Sequence, residues 1–390
     1  MEVKPGYKQT EVGAIPEDWD ASHLSKLCTL IVDGTHQTPR YVTSGVPFYS
    51  VENVVGNKFK NSKCISIEEH KKISKRALPQ KGDILLTRIG SLGSTKLVDW
   101  DYESSIYVSL ALLRFNKSID SSYIYSYTKS RSFRMSIEER ALMNAIPVKI
   151  NMNMIGNIPI PIPNIIEQRE IGRAITDIDL LINSLEKLIE KKKNIKQGVM
   201  QDLLTGKRRL QGFDKGWETK KLNSLCSCIT TGRKDVNEGN PNGKYPFFTC
   251  SRSITFSDQY SFDSEAILIA GNGDVGTLHY YKGKFEAYQR TYVLSGFCIP
   301  AKYLVHYLNY SLIPALNENK IGSSIPYIKI GDLTDLLVNT PREQNEIRAI
   351  VDVLDDMDCE IGALSLQLEK CKNLKDGMMQ ELLTGRIRLL

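Results

Sequence analysis

The feature that most constrains this chain is a long amphipathic segment that occurs twice, at about residues 168–205 and 344–384. Apolar residues recur in steps of four and three, which is typical of a coiled-coil seam. Every seam position of the first copy has an apolar counterpart 179 residues later. The predicted seam comprises Ile171, Ile175, Ile178, Ile182, Leu185, Ile189, Ile195, Val199 and Leu203, then Ile350, Leu354, Met357, Ile361, Leu364, Leu368, Leu374, Met378 and Leu382.

The two copies share further details. The spacing loosens after Ile189, and Lys192 in this interruption corresponds to Cys371. Both copies open on Glu-Gln and close on Leu-Leu-Thr-Gly, where the glycine is a helix-ending signal. A helix of about 38 residues is roughly 57 Å long, more than one small domain can cover. We therefore expect the two helices to pair with each other, although each could instead lie on its own domain, and the seam alone leaves parallel and antiparallel pairing open.

The globular parts that precede the helices also repeat. Trp19 recurs as Trp217, the run 47–50 resembles 246–249, the glycine-bearing run 83–93 resembles 266–276, and Ile146-Pro147 recurs as Ile325-Pro326. Each part mixes short strand-like runs with helical pieces, which indicates an α+β fold. We predict two globular domains, residues 1–165 and 212–340, alternating with two helical segments, residues 166–211 and 341–390. The two globular parts share the order of their motifs but differ in their loops, which suggests one scaffold that carries two specificities.

Composition narrows the class of protein. The 390 residues are 41% hydrophobic, enough for more than one core, and no stretch approaches a membrane span or a signal peptide. The eight cysteines are scattered without metal-ligand spacing, so we expect reduced thiols in a cytoplasmic protein and no metal site. Residues 1–165 carry 21 Lys and Arg against 16 Asp and Glu, a basic balance that suits nucleic acid.

One motif favours a nucleotide-dependent enzyme. The run 271–276, Gly-Asn-Gly-Asp-Val-Gly, follows an apolar strand and matches the dinucleotide fingerprint. That fingerprint needs a helix next, whereas an aromatic, strand-like run follows at 277–285. The chain has no phosphate-loop or HExxH motif, and its five histidines show no ligand spacing. We therefore predict no catalytic residues and a tight turn at Gly271.

The remaining polar loops suit DNA reading. Short hydroxyl and amide side chains with Arg and Lys are the groups that base edges and phosphates require. Loops at 33–41 and 230–234 occupy the same place in the two globular parts. The predicted DNA-binding residues are Thr35, His36, Gln37, Thr38, Arg40, Arg88 and Ser91, then Thr231, Arg233, Lys234, Arg252, Asn272, Arg290 and Lys329.

These motifs resemble the specificity subunit (HsdS) of type I restriction-modification systems. The resemblance rests on Gly-x-Ile-Pro-x-x-Trp at 13–19, the Gly-Thr-His loop at 34–36, the Ile/Pro-rich entry to Glu167 and the repeated Leu-Leu-Thr-Gly. The second half departs from the pattern, since Gly216-Trp217 lacks the Ile-Pro and the run 339–341 is a shortened helix entry.

The resemblance implies two target-recognition domains that read a bipartite, asymmetric DNA sequence. They would be held apart by an antiparallel coiled coil in a pseudo-twofold, pseudo-cyclic arrangement. It also implies that the chain is not an enzyme and binds no cofactor. Two methyltransferase subunits would bind S-adenosylmethionine and methylate adenine, and motor-nuclease subunits would use ATP and Mg²⁺. Two other classes stay open: a nucleotide-dependent DNA methyltransferase built on the Gly271 loop, and a coiled-coil adaptor that does not bind DNA.

Overall fold

The computed structural model describes residues 5–318 and 327–389. They divide into two compact units: Met1–Leu185 with Gln367–Leu390, and Glu186–Leu366. Each unit therefore combines one globular part with a part of each long helix. The predicted pair Ile325-Pro326 lies outside the described residues.

The first unit alternates short strands with short helices before its long helix begins. The strands are β1 (Tyr7–Thr10), β2 (Gly13–Pro16), β3 (Asp20–His23), β4 (Cys28–Asp33), β5 (Tyr41–Val42), β6 (Val46–Tyr49), β7 (Cys64–Ile65), β8 (Ile84–Thr87), β9 (Thr95–Leu97), β10 (Ser105–Ile106), β11 (Leu110–Phe115) and β12 (Pro159–Ile162). The helices are α1 (Leu24–Leu27), α2 (Val51–Val55), α3 (Ile67–Ile73), α4 (Ser121–Tyr127), α5 (Arg131–Arg140), α6 (Met152–Gly156) and the long α7 (Ile165–Leu204), which continues into the second unit.

The second unit contributes the remaining elements. Its strands are β13 (Trp217–Lys221), β14 (Cys226–Thr231), β15 (Tyr245–Phe248), β16 (Thr255–Ser257), β17 (Phe262–Ala270), β18 (Leu278–Ala287), β19 (Thr291–Phe297) and β20 (Leu337–Pro341). Its helices are α8 (Ala301–Glu318), α9 (Ile330–Thr334) and the long α10 (Gln344–Leu382), which continues into the first unit.

The central sheet of the first unit runs in the order β4-β11-β8-β9, with antiparallel neighbours. A smaller sheet, β10-β6-β7-β5, lies in the same unit. Successive side chains of a strand face opposite sides. Ile84 and Leu86 of β8 join the core that includes Trp19 and Ile171, whereas Leu85 joins a separate core around Tyr49. The apolar runs in this part are therefore strands buried on both faces.

The second unit follows the same plan in one larger sheet, β14-β19-β17-β18-β15-β16. Ile267 and Ile269 of β17 face the core that includes Leu354 of α10, and Leu268 faces a second core around Phe248. Most strands repeat between the units in order and pairing, including a parallel pair in each, β10 with β6 and β15 with β18. The hairpin β1-β2 and the edge strand β5 of the first unit have no counterpart among the described residues of the second. Mixed helices and sheets confirm the predicted α+β class.

The long helices pair antiparallel within each unit. In the second unit, Lys192 of α7 binds Glu360 of α10 at 2.6 Å, and Lys196 binds Asp358 at 2.5 Å, so residue numbers rise on one helix as they fall on the other. In the first unit, Lys375 of α10 binds Asp179 of α7 at 2.6 Å, and Ile171 near the start of α7 shares a core with Leu382 at the end of α10. This ion pair is the counterpart, 179 residues displaced in each partner, of Lys196 with Asp358. The orientation that the seam left open is thereby decided in each unit.

Most residues of the predicted seam are buried or half-buried, and one pair is exposed. The first six residues of the α7 seam, from Ile171 to Ile189, are buried, as are Leu203, Ile350, Leu354 and Leu382. The α10 positions Met357, Ile361, Leu364 and Leu368 are half-buried. Ile195 and its counterpart Leu374 are 44% and 56% exposed, so neither lies in the seam.

The error at Ile195 has a physical cause. The steps of three and four continue without interruption through Lys192, Lys196, Val199 and Leu203. Lysine can occupy such positions because its methylene stem packs along apolar surface while its ammonium group reaches a carboxylate at the edge. Both lysines are only part-exposed and ion-paired. A search for apolar residues alone therefore shifts the seam to Ile195.

A buried carboxylate links the ends of the first unit. The Glu167 side chain, at the start of α7, is fully buried. It accepts hydrogen bonds from Trp19 Nε1 at 3.1 Å and from Arg388 Nε at 2.6 Å. Arg388 also donates to Asp18 at 2.7 Å, and this hydrogen bond lowers the pKa of Asp18. The C-terminal segment is thus tied to the N-terminal strip.

The second unit repeats this ion pair at the positions displaced by 179. Arg209, which follows α7, donates to both carboxylate oxygens of the fully buried Glu346 at 2.9 and 2.7 Å. Trp217 lies against Gly206 as Trp19 lies against Gly385. A bidentate guanidinium–carboxylate pair is among the stronger charged interactions. The same pair therefore closes each unit where a long helix ends.

We predict that Arg388→Ala and Arg209→Ala are strongly destabilising. Each leaves a buried glutamate without its cation, which costs about 3 kcal/mol, the lower end of the range because both arginines are part-exposed. The unfolding temperature of the affected unit should fall by roughly 6–12 °C in calorimetry. Arg386→Ala is the control, because Arg386 is more exposed and pairs with the surface residue Glu381. Equal, small shifts for all three variants would contradict the assignment.

Candidate nucleic-acid interface

Three loops of the first unit meet at one edge of its central sheet. β4 and β8 both run antiparallel to β11, so their ends lie beside the start of β11. Gly34 N–H donates to the Leu110 carbonyl, Thr35 N–H to that of Ile106, and Arg88 N–H to that of Ser109. The loop 34–40 and the loop 88–94 are thereby held against residues 106–109. We call this surface the first loop edge.

The second unit builds the same edge from its own strands. β14 ends at Thr231 and β17 at Ala270, beside the start of β19. Gly232 N–H donates to the Thr291 carbonyl, Gly271 N–H to that of Arg290, and Gln289 N–H to that of Lys234. Asp274 N–H donates to the Cys250 carbonyl, which adds the loop 250–254, and Ile328 N–H donates to the Gly271 carbonyl, which places Lys329 beside this edge. We call this surface the second loop edge.

A glycine is required directly after β4 in the first unit and directly after β14 in the second. A Cβ added to Gly34 would lie 2.1 Å from the Ile106 carbonyl oxygen, and one on Gly232 would lie 1.8 Å from that of Ala287. Both distances are far below any allowed contact. The close backbone approach sets the direction in which each loop departs, so it fixes what the following side chains can reach.

Arg88 does not reach the surface of the first loop edge. It is 8% exposed, and its guanidinium donates to Asp33 at 3.1 Å and to the carbonyls of Val108 at 3.0 Å and Ile150 at 3.3 Å. Burial opposes ionisation of Asp33, but hydrogen bonds from Arg76 and His36 lower the pKa of that carboxyl. Arg88 therefore supports the loop from beneath, a role that differs from the surface contact predicted from sequence.

The other residues predicted in this part are accessible. His36, Gln37, Thr38, Arg40 and Ser91 are exposed, and Thr35 is half-buried. His36 contacts Asp33 at 3.0 Å, so one ring nitrogen is held by the protein and the rest of the ring faces outward. These side chains offer hydroxyl, amide, imidazole and guanidinium groups over a short length of chain. The structure places them together at the first loop edge.

The second loop edge is richer in cations. Arg233, Arg252, Arg290 and Lys329 are exposed, Thr231 and Asn272 are half-buried, and Lys234 is engaged by Glu238 at 3.1 Å. Within residues 5–318 and 327–389, no carboxylate lies within ion-pair distance of Arg40, Arg233, Arg252 or Arg290. These guanidinium groups are available to an anionic ligand.

Two residues of these edges were missed from sequence. Tyr107 forms a backbone bridge with Thr35, and Tyr288 forms the equivalent bridge with Lys234. Tyr107 directly follows β10, which pairs in parallel with β6, and Tyr288 directly follows β18, which pairs in parallel with β15. Their spacing of 181 residues fits the repeat, so the repeat was a signal that could have identified them.

The Gly271 loop joins two strands of a hairpin. β17 precedes it and β18 follows it, and the two strands are antiparallel. Gly273 and Gly276 have positive φ angles of 63° and 79°, which glycine adopts without strain. A dinucleotide site requires a helix at this point to direct its N-terminus at phosphate. The loop is therefore a tight turn in the sheet.

Metal-ligand clusters and membrane spans are both lacking in the described part of the chain. Residues 5–318 and 327–389 contain no group of three or more His, Cys, Asp or Glu side chains that could hold a metal ion. In the same ranges no helix is long and apolar enough to cross a membrane.

Comparison with known families defines the class of protein. The family described as type I restriction modification DNA specificity domain matches residues 16–197 and 214–370, most of the chain. The chain belongs to this family, the specificity subunits of type I restriction-modification systems. The resemblance noted in the sequence is thereby confirmed.

Individual relatives agree. The type I restriction enzyme EcoDI specificity subunit of Escherichia coli is 37% identical over 168 residues, 43% of this chain and 37% of that subunit's length. The putative MjaX specificity subunit of Methanocaldococcus jannaschii is 26% identical over 422 aligned residues, covering 98% of this chain and 97% of that subunit.

Solved structures support the fold. The S subunit of a type I restriction-modification system from M. genitalium aligns over 98% of both chains with a TM-score of 0.69 and 16% identity. A chain from a study of complex assembly in a type I system aligns over 96% of this chain with a TM-score of 0.54 and 16% identity. At this identity the likeness concerns the fold.

We predict that Arg88→Met lowers stability by about 2 kcal/mol, because the buried Asp33 loses one charged hydrogen bond but keeps Arg76 and His36. Arg233→Met is the matched control, since Arg233 is exposed and should change stability by less than about 0.5 kcal/mol. The measurement is the shift in unfolding temperature of the full chain. An Arg88→Met protein as stable as the control would show that Arg88 is not a structural residue.

Proposed function

We propose that this chain reads DNA for a type I restriction-modification complex. Each loop edge would contact one part of a bipartite, asymmetric target in double-stranded DNA. The observation that carries the proposal is that two edges share their backbone arrangement and differ in side chains. Two readers with one geometry and different chemistry are suited to two unlike half-sites.

The side chains match the chemistry of DNA. Arginine forms bidentate hydrogen bonds with guanine, and glutamine and asparagine do so with adenine. Cations, hydroxyls and backbone N–H groups contact phosphates and fix the register. The first edge offers His36, Gln37 and Arg40, whereas the second offers Arg233, Arg252 and Arg290. Different groups at corresponding places support recognition of different bases.

Partner subunits would carry out the chemistry. In this proposal the chain is not an enzyme and binds no cofactor. Two methyltransferase subunits bind S-adenosylmethionine and take the target adenine out of the stack for methylation, and motor-nuclease subunits supply ATP- and Mg²⁺-dependent steps. The tight turn at Gly271, in place of a strand-to-helix phosphate site, supports this division of labour.

The long helices would act as a spacer in the cytoplasmic complex. Two protein surfaces contact the same face of B-DNA when their sites are about one helical turn, roughly 34–36 Å, apart. A helix of 40 residues is long enough to set such a separation. Ion pairs and apolar packing between α7 and α10 would resist sliding of one helix along the other. The spacer between the half-sites would then be a property of the helix pairing.

The adaptor that never binds DNA is the competing function. It would account for the paired helices but not for four arginines on the two loop edges that lack carboxylate partners among the described residues. Exposed arginines of this kind are suited to an anionic ligand. The DNA-reading function therefore accounts for both the paired helices and the exposed arginines.

The division of recognition between the edges can be tested with two matched triple variants. We predict that His36→Ala/Gln37→Ala/Arg40→Ala alters one half-site only, and that Arg233→Ala/Arg252→Ala/Arg290→Ala alters only the other. The reason is that each set lies on one edge. Methylome sequencing of cells that express each variant with the methyltransferase subunits reads both half-sites. If either variant changed both, each half-site would not have its own reader.

The electrostatic part of binding can be tested by salt titration of the assembled complex. Each phosphate contact contributes about −0.9 to the slope of log K against log salt, so we expect Arg40→Ala to reduce the slope by about 0.9. Lys26→Ala is the control, since Lys26 is exposed and precedes β4. The six residues of β4 place it about 20 Å from the loop edge. Equal slopes for the two variants would contradict a phosphate contact at Arg40.

A further inference from the structure

An apolar tip protrudes beside the first loop edge. It belongs to the loop 141–149, which follows α5. Ile146 is fully exposed, more than any other large apolar side chain among the described residues, and Met143 and Leu142 are 59% and 46% exposed. These residues lie outside the loops that form the first loop edge. Grouped exposed apolar side chains commonly mark a contact site.

The tip is held firmly in place at its base. Leu142 N–H donates to the Lys149 carbonyl at 2.7 Å, and Ala145 N–H donates to the Leu142 carbonyl at 3.1 Å, which closes the loop on itself. Gly90 N–H donates to the Val148 carbonyl at 2.8 Å, which joins the loop to the first loop edge. An ordered tip loses little conformational entropy when it binds.

Size and charge indicate what the tip contacts. The loop 141–149 itself contains the exposed Lys149 and no carboxylate, whereas Arg140 just before it is paired with Glu139 at 3.4 Å. The charge of the loop is therefore compatible with a phosphate backbone. A stable protein interface buries about 800 Å² on each partner, more than three side chains at a loop tip can supply. A gap between stacked base pairs, in contrast, accommodates one or two apolar side chains. Ile, Leu, Met and Pro are the residues that proteins insert there.

We propose that Ile146, flanked by Leu142 and Pro147, inserts between two base pairs at the border of the half-site read by the first unit. This inference rests on the proposed DNA-reading function and adds a second mode of recognition to it. Unstacking a step costs least at flexible pyrimidine–purine steps such as TA and CA. The insertion would therefore select for an easily opened step without a hydrogen bond to any base.

The test uses the full chain assembled with methyltransferase subunits. Duplexes carry 2-aminopurine at one position at a time through the half-site and its borders, and its fluorescence rises where stacking is lost. Ile146→Ala should abolish the rise at one border step and weaken binding about tenfold. The salt slope should stay unchanged, because no phosphate contact is removed. The rise at a flipped target adenine should persist, since it depends on the methyltransferase.

Two controls make the outcome decisive. Ile387→Ala removes the same atoms from an exposed isoleucine outside the loop 141–149 and should bind DNA like the wild type. Ile146→Leu should retain the border signal. The insertion is wrong if the wild type binds its target selectively but shows no Ile146-dependent signal. It is also wrong if Ile146→Ala instead impairs binding of the methyltransferase subunits. In both cases the proposed DNA-reading function still holds. If the wild type binds DNA without selectivity, the proposed function itself fails.

Discussion

The antiparallel packing of α7 against α10 is the interaction on which each unit depends. A stripe that runs the length of a 40-residue helix cannot stay exposed, and burying each Ile or Leu contributes about 1.5–3 kcal/mol. In each unit the stripe merges with the globular core: Ile171 and Ile175 pack with Trp19, and Ile350 and Leu354 pack with Ile267. The globular parts are therefore built onto the helices. The Arg388–Glu167 and Arg209–Glu346 pairs fix the chain where helix and globule meet.

Much of this fold could be predicted because the helices repeat with a constant displacement of 179, which carries more information than either copy alone. The same displacement relates two ion pairs that the apolar pattern does not show, because adding 179 to Lys196 gives Lys375 and adding 179 to Asp179 gives Asp358. The seam was misplaced at Ile195 because a charged residue can occupy a seam position when a carboxylate lies across from it. A pattern of apolar residues does not reveal that partner.

The candidate site was harder to predict, since it depends on contacts between distant parts of the chain. The loop positions were found because hydroxyl, amide and basic side chains recur there. The burial of Arg88 could not be foreseen, because it depends on Asp33 at the end of β4, which lies on the other side of β11 in the sheet. Tyr107 and Tyr288 were missed because their role comes from backbone bridges. Nothing in the sequence distinguishes Ile146, because its proposed role is inferred from the exposure of its side chain.

The central claim is that the paired helices set the distance between two DNA readers. Its most direct test inserts four helical residues after Ser184 in α7 and four after Ala363, the corresponding position in α10. Each helix lengthens by about 6 Å, at most about two base pairs of DNA, and rotation of the seam will absorb part of this change. Methylome sequencing should then show a spacer longer by about one base pair with both half-sites unchanged. An unchanged spacer, or altered half-site bases, would contradict the account.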